Sequence, residues 1–148
     1  MTEETIIRKA LPADAPAVAA IEEATFSAPW SEAGVLAEIN KENALFLVCE
    51  IGETLAGYVS IESVYGECYM GNLAVKNEYR RQGVAWALLQ ALETAAKDNH
   101  SAFISLEVRA SNIAARTLYE KAGYTVQGVR RGFYTSPDED AMIYTLFL

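Results

Sequence analysis

A glycine and two adjacent arginines stand directly before an apolar-periodic segment, in EYRRQGVAWALLQALE (78–93). Gly83 lets a ligand approach the backbone closely, and the first turn of the predicted helix leaves amide N–H groups without helical partners. With the helix dipole these amides form an anion site suited to phosphate, to which Arg80 and Arg81 would add charge. The segment is neither a Walker A loop nor a Gly-x-Gly-x-x-Gly fingerprint. The alternative, a glycine beside solvated arginines, is equally consistent with this segment alone.

The segment FISLEVR (103–109) carries a carboxylate on a predicted strand. Its three aliphatic residues alternate onto one face, and Glu107 lies on the other. Glutamate is depleted in strands, and a half-buried carboxylate is costly without a partner or a chemical role. Glu107 is therefore a candidate general base. The alternative is a carboxylate that is solvated or paired with Arg109, and this segment alone favours that alternative.

The next segment, SNIAARTLYEKAG, predicts a helix from an N-cap at Ser111 to a stop at Gly123. Asn112 and Tyr119 are seven residues apart and share one helix face, with the small Ala115 between them. Such a face, beside the strand of Glu107, predicts a reaction cleft in which Tyr119 is a general acid. The alternative is an interfacial tyrosine with a solvated hydroxyl. The residues assigned to the core-facing stripe are Ala114, Leu118 and Ala122.

The segment GNLAV (71–75) interrupts a predicted strand. Gly71 beside Asn72 indicates a bulge or a place where a ligand approaches the backbone. A strand end that parts from its neighbour there would offer free N–H and C=O groups to an amide-bearing ligand. An ordinary irregularity of the strand is the default alternative.

Histidine and cysteine usage disfavours several kinds of chemistry. His100 is the sole histidine and follows KDN in a predicted turn, which disfavours Ser-His-Asp and Cys-His hydrolases and histidine-rich metal sites. Cys49 and Cys68 lack metal-type spacing and lie in strand-like runs. We interpret them as buried thiols of a reducing compartment, the cytoplasm.

Seven strands and four helices are needed to position these residues. The predicted strands are 5–10, 45–51, 55–65, 67–75, 102–108, 124–134 and 141–148. The predicted helices follow Asp14, run from a cap at Ser31 to about Asn40, follow Gly83, and span 111–123. This order predicts a mixed α/β sheet with helices on its faces, folded as one domain over residues 1–148.

Composition limits the class of partner. The chain has 148 residues, of which 51% are hydrophobic and 22% charged, and its net charge is −8. The acidic balance argues against general nucleic-acid binding and is compatible with a cationic peptide substrate, although solubility alone also explains it. No apolar run has the length of a membrane span, and the first residues lack the features of a signal peptide.

Two long stretches, NLAVKNEYRRQGVAWALLQALE and LEVRASNIAARTLYEKAGY, resemble the acetyl-CoA-binding core of the GNAT N-acetyltransferases. Arg80, Gly83 and Ala85 match the superfamily pattern Arg/Gln-x-x-Gly-x-Gly/Ala. The resemblance covers nearly the whole chain and implies the GNAT fold, a mostly antiparallel central sheet splayed at the acetyl-CoA site. APWS, LEVRASN, TLYEKAGY and RRGFYTSPDEDAMIYTL also resemble the bacterial ribosomal-protein-alanine N-acetyltransferases (RimI type).

The resemblance implies a role for each candidate residue. The pantetheine arm would bond Leu73, Ala74 and Val75, and Asn112 would contact CoA. Glu107 would be the general base and Tyr119 the general acid, with no metal. The residues whose amides would hold the CoA phosphates are Arg81, Gln82, Gly83, Val84, Ala85 and Trp86. Trp86 departs from the family, because it replaces a common cation near the phosphates. This departure predicts weaker CoA binding but not its loss.

The implied reaction transfers an acetyl group from acetyl-CoA to the α-amine of a protein, with the N-terminal alanine of a small-subunit ribosomal protein as the first acceptor. The acceptor peptide would lie near Trp30 and Tyr134. Lysine side chains or small amines are alternative acceptors, and a non-catalytic acyl-CoA-binding module is an alternative of another class. An RNA-binding domain using the arginine pairs is disfavoured by the net charge of −8.

Overall fold

The computed structural model describes residues 4–148, which form four α-helices and seven β-strands in the predicted order. The elements are β1 (Thr5–Lys9), α1 (Ala15–Thr25), α2 (Glu32–Ile39), β2 (Ala44–Ile51), β3 (Thr54–Val64), β4 (Glu67–Val75), α3 (Val84–Asp98), β5 (Phe103–Arg109), α4 (Ile113–Lys121), β6 (Thr125–Tyr134) and β7 (Glu139–Phe147). For most of these elements, the predicted and observed ends differ by one or two residues.

All seven strands form one sheet in the order β1-β2-β3-β4-β5-β7-β6. Within residues 4–148 every neighbouring pair is antiparallel except β4 and β5, which are parallel and connected through α3. The predicted mixed, mostly antiparallel sheet is confirmed. None of the helices in this part of the chain is long and apolar enough to cross a membrane.

Alternation along the strands divides the core between the two faces of the sheet. On β2, Phe46 and Val48 pack with α1 and α2, whereas Leu47 and Cys49 pack on the opposite face with α3 and with Tyr119 of α4. The predicted placement of helices on both faces is therefore confirmed. Both cysteines are buried and unbridged, as predicted, and burial raises the pKa of the Cys49 thiol.

Polar side chains fix where two of the helices begin. Ser31 Oγ accepts the N–H of Gly34 at 3.0 Å, so the predicted cap of α2 is confirmed. The predicted cap of α4 is wrong by one residue, because Asn112 caps the helix and Ser111 lies outside it. Gly123 has φ +97°, a left-handed conformation that ends α4 where the sequence predicted.

The predicted core-facing stripe of α4 is rotated from the observed one. Ala114 is exposed and Tyr119 is the buried residue of the helix. The residues that pack inward are Ala115, Leu118, Tyr119 and Ala122. These positions follow the i, i+3, i+4, i+7 spacing of an amphipathic helix, and the prediction missed it because it reserved Tyr119 for an open polar face.

Candidate active site

Strands β4 and β5 pair over only three positions and then part. Their register pairs are Glu67 with Phe103, Cys68 with Ile104 and Tyr69 with Ser105. Beyond these, the stretch Leu73–Ala74–Val75 stays paired with β3 on its other side and, within residues 4–148, has no strand partner toward β5. The backbone groups along that edge thus line a gap between two strands of one sheet.

The predicted bulge in β4 is confirmed at Gly71 and Asn72. The register with β3 shifts between Val59 and Ile61, so Ser60 lies opposite two residues of β4. Glycine avoids a steric conflict there, because a Cβ at position 71 would lie 2.7 Å from Ser60 Oγ and force a shift. The hydroxyl of Ser60 accepts the N–H of Asn72 at 3.3 Å.

The segment before α3 has the conformation expected of an anion-binding loop. Gly83 is the N-cap residue with φ +81°, and Arg81 also has a positive φ of 63°. No side chain caps α3, and the first helical bond of this end runs from the N–H of Ala87 to the carbonyl of Gly83. The N–H groups of the first turn therefore remain available to a ligand.

Two side chains of this loop bind the backbone. Arg80 Nε donates to the carbonyl of Val75 at 3.3 Å, and Gln82 Nε2 donates to the carbonyl of Glu78 at 3.2 Å. Arg80 thus ties the start of the loop to the end of β4.

A cation lies close to Trp86, at the position where the resemblance led us to expect a basic side chain near the phosphates. The ammonium group of Lys121, at the end of α4, is 5.6 Å from the centre of the Trp86 ring. The indole is partly exposed in the first turn of α3. Positive charge is therefore present beside the loop from a different element of the fold.

Glu107 lies on β5, two residues beyond the last register pair with β4. Its side chain is 32% exposed and its carboxylate is 3.4 Å from Arg130 on β6. The suggested pairing with Arg109 is wrong, because the Arg109 guanidinium contacts Glu139 and the carbonyls of Thr135 and Pro137. The carboxylate is therefore partly exposed, and among residues 4–148 its one ion-pair partner is the partly exposed Arg130.

Tyr119 is 6% exposed, so its ring is part of the core and does not line an open polar groove. The Tyr119 hydroxyl lies 3.9 Å from Sδ of Met70, the first residue of β4 after the paired stretch. Burial raises the pKa of Tyr119 well above the ordinary value of a tyrosine. The structure thus places a protonated phenol at the point where the two strands diverge.

Asn112 has part of its hydrogen-bonding capacity occupied. Its Oδ1 accepts the N–H of Ala115 at 3.1 Å as the cap of α4. The side-chain amide Nδ2 is the donor that remains for a ligand. The neighbouring Ser111 donates its backbone N–H to Glu139 at 2.6 Å.

The sequence analysis did not single out three charged residues that contact the predicted site residues or the bulge: Glu22 contacts Asn72, Arg130 contacts Glu107 and Lys121 contacts Trp86. Glu22 had a signal in the sequence, because it interrupts the apolar stripe of α1 four residues after Val18. Arg130 and Lys121 had none, since their neighbours come from distant parts of the chain. Within residues 4–148, no group of His, Cys, Asp and Glu side chains is arranged to bind a metal ion.

Residues 15–124 match the acetyltransferase (GNAT) family model. The chain therefore belongs to the GNAT family of acetyltransferases. It is 36% identical over 135 residues to the [ribosomal protein bS18]-alanine N-acetyltransferase of Escherichia coli strain K12, which covers 90% of each chain. The Haemophilus ducreyi enzyme of the same name is 32% identical over 86% of this chain and 90% of that relative.

Solved structures share the fold over almost the whole chain. The crystal structure of the ribosomal-protein-S18-alanine N-acetyltransferase from Escherichia coli has a TM-score of 0.91 and 34% identity, and the match covers 97% of this chain and 94% of that one. Arabidopsis thaliana NAA60 in complex with acetyl-CoA has a TM-score of 0.89 at 19% identity, covering 98% and 100%, which supports the fold alone. The predicted GNAT fold is confirmed.

Proposed function

We propose that this GNAT acetyltransferase transfers the acetyl group of acetyl-CoA to the α-amine of the N-terminal alanine of a small-subunit ribosomal protein, in the cytoplasm. The observation that carries the proposal is the gap between β4 and β5, with Glu107 on one side and the Tyr119 hydroxyl at its closed end. The acceptor is inferred from the relatives named as bS18-alanine N-acetyltransferases.

The residues present fit acetyl-CoA as the co-substrate, which supplies an acetyl group on a thioester. The unpaired edge of Leu73–Ala74–Val75 would hydrogen-bond the amides of the pantetheine arm. The N–H groups from Arg81 through Trp86 would hold the phosphates, since no side chain caps this helix start. Asn112 would add a contact through Nδ2, and Lys121 supplies a cation nearby.

The acceptor amine must lose a proton before it attacks the thioester. A free α-amine has a pKa of about 8, so it arrives largely protonated at neutral pH. Glu107, directly or through water, would take that proton, and the N–H of Leu73 would stabilise the negative charge that develops on the carbonyl oxygen. Tyr119 would protonate the departing thiolate. Positioning of two substrates supplies much of the acceleration.

The acceptor peptide would enter beside two aromatic side chains. Trp30 lies in the loop between α1 and α2, with its ring against the β4 bulge at Gly71. Tyr134 ends β6, and the Arg109 guanidinium lies 4.5 Å from the centre of its ring. These residues come from the loop and the hairpin on either side of the gap, which supports their proposed role in holding the peptide.

The test is thiol release from acetyl-CoA with a panel of short peptides. We expect strong release with a peptide that has a free N-terminal alanine followed by basic residues, and loss of release when that N-terminus is blocked. A peptide with a different first residue measures the preference for alanine, and a blocked peptide with one lysine measures side-chain acetylation. Turnover only on lysine or small amines would contradict the proposed acceptor.

A second outcome would contradict catalysis itself. Tight binding of acetyl-CoA without thiol release on any amine would identify a non-catalytic acyl-CoA-binding module. Binding is measured by calorimetry on the same preparation, so that a misfolded sample is recognised by its failure to bind.

A further inference from the structure

Glu22 is a fully buried carboxylate that the reaction described above does not use. Its Oε1 accepts the backbone N–H of Trp30 at 2.9 Å, and its Oε2 accepts Nδ2 of Asn72 at 2.8 Å. The hydroxyl of Tyr58 also donates to Oε2. One carboxylate on α1 therefore binds three donors, from the α1–α2 loop, from β3 and from the bulge of β4.

Such a carboxylate is costly to bury. Among residues 4–148, no Lys, Arg or His nitrogen lies within 4.0 Å of it. An aliphatic side chain would fill the position without this cost, as Val18 and Ile21 do on the same stripe. Burial, followed by the hydrogen bond to Glu22, raises the pKa of Tyr58, which remains a donor. The position therefore serves the hydrogen bonds rather than core packing.

Two of the three hydrogen bonds join segments that face each other, the α1–α2 loop and the β4 bulge. The ring of Trp30 lies so close to the bulge that a Cβ at Gly71 would be 3.2 Å from it. Asn72, the second residue of the bulge, directly precedes Leu73 at the unpaired edge of β4. Glu22 holds the loop through Trp30 and the bulge through Asn72, so neither segment moves without breaking a buried hydrogen bond.

We propose that Glu22 is a positioning residue for acetyl transfer, which fixes the α1–α2 loop and the β4 bulge in one arrangement. The inference rests on the proposed function, in which the loop of Trp30 contacts the acceptor and the N–H of Leu73 faces the reacting carbonyl. Glu22 thereby sets the distance between the acceptor amine and the acetyl group. The loop that would hold the CoA phosphates, residues 80–86, makes no contact with this network among the hydrogen bonds of the described chain.

The first test is Glu22→Gln, which keeps the volume but replaces one acceptor by a donor. We expect kcat/KM for the alanine peptide to fall about tenfold or more, because a buried hydrogen bond that positions the peptide-binding loop and the bulge is lost. The Kd of acetyl-CoA should stay within about twofold of wild type, because the phosphate loop is outside this network. The matched control is Glu23→Gln on the exposed side of the same helix, with wild-type constants expected. Unchanged kcat/KM, or equal weakening of both substrates, would overturn the proposal.

The second test reverses the direction of one hydrogen bond. Asn72→Asp alone places two carboxylates together, and we expect it to lower kcat/KM. Combined with Glu22→Gln, the substituted amide donates to the new carboxylate, and we expect the double variant to recover most of the lost activity. A double variant no better than either single variant would argue against a specific positioning contact.

A third measurement is independent of turnover. Hydrogen exchange in Glu22→Gln should speed up at the amides of Trp30 and Asn72 and stay unchanged at Val84–Trp86. If Glu22→Gln does not fold, Asn72→Ala replaces it in this experiment, because it leaves the donors Trp30 and Tyr58 in place. We expect Asn72→Ala to speed hydrogen exchange at the amide of Trp30. Unchanged exchange at the amides of Trp30 and Asn72 would refute the proposal that Glu22 fixes the α1–α2 loop against the β4 bulge. A wild-type protein that acetylates no peptide would refute the proposed function instead, and the exchange result would stand.

Discussion

Glu107 has a partner that its place on the strand did not indicate. Arg130 comes from β6 and lies 3.4 Å away, with side-chain exposures of 57% for Arg130 and 32% for Glu107. Ion pairs exposed to this degree contribute little to stability, so the contact gives no structural reason for a carboxylate there. A substrate ammonium group is able to compete with the guanidinium for Glu107, which is what a general base for an α-amine requires.

This argument predicts different results for the two members of the pair. Glu107→Gln should lower kcat about a hundredfold or more at neutral pH, because the general base is lost, and leave the Kd of acetyl-CoA within about twofold. Arg130→Gln is the matched control and should keep most of the turnover. Steady-state kinetics and calorimetry measure both. Equal losses in the two variants would mean that Glu107 acts only through its ion pair.

Tyr119 illustrates how burial determines a chemical role. Burial in the surrounding core raises its pKa above the ordinary tyrosine value of about 10, so the phenol keeps its proton at neutral pH. A raised pKa means that the phenol of Tyr119 stays protonated. This protonation state suits a general acid and does not suit a general base. Deprotonation of Tyr119 therefore makes no contribution to the pH profile below about pH 10, the ordinary pKa of a tyrosine.

The segment before α3 combines a left-handed glycine with open space. Gly83 has φ +81° and no atom within 4 Å of the place of a Cβ, and Gly66 in the β3–β4 turn has φ +79° and equally open surroundings. Alanine at either position costs about 1–2 kcal/mol of backbone strain. The two glycines are thus a matched pair, one beside the proposed phosphate site and one remote from it along the chain.

We expect Gly83→Ala and Gly66→Ala to lower the melting temperature by similar amounts. Only Gly83→Ala should weaken acetyl-CoA binding, about tenfold or more, because a strained loop no longer presents its amides together. Calorimetry and thermal melts of both variants decide this. Equal acetyl-CoA affinity in the two variants would remove the loop from the proposed binding site.

Local signals were sufficient for most elements but not for all contacts. Alternation in β5, the cap at Ser31 and the bulge at Gly71 were predictable, because each depends on neighbours along the chain. The cap of α4 was misplaced, since Ser111 and Asn112 are both good caps and only the fold selects one. The partner of Glu107 was not predictable, because the pairing of β6 with β7 brings Arg130 to it from 23 positions further along the chain.

Net charge gives a prediction for the whole molecule. At −8, the protein should attract a cationic peptide, and the attraction should weaken as the screening length falls from about 30 Å at 0.01 M salt to about 8 Å at 0.15 M. At saturating acetyl-CoA, we expect kcat/KM for a lysine-containing alanine peptide to fall several-fold over this range, whereas a neutral alanine peptide should change little. If kcat/KM depends on salt concentration in the same way for both peptides, the net charge does not attract the substrate, and solubility explains it.

In the described chain, residues 4–148, the sheet consists of one part made of β1 to β4 and another made of β5, β7 and β6. Three register pairs between β4 and β5 are the pairing that connects the two parts. Residues Thr5 and Phe147, near the two ends of the chain, lie in different parts. A force pulling on the chain ends would cross the sheet at this narrow junction. A ligand that forms hydrogen bonds with both β4 and β5 would add to the bonds that connect the two parts. The force needed to separate the parts would then measure whether the ligand is bound.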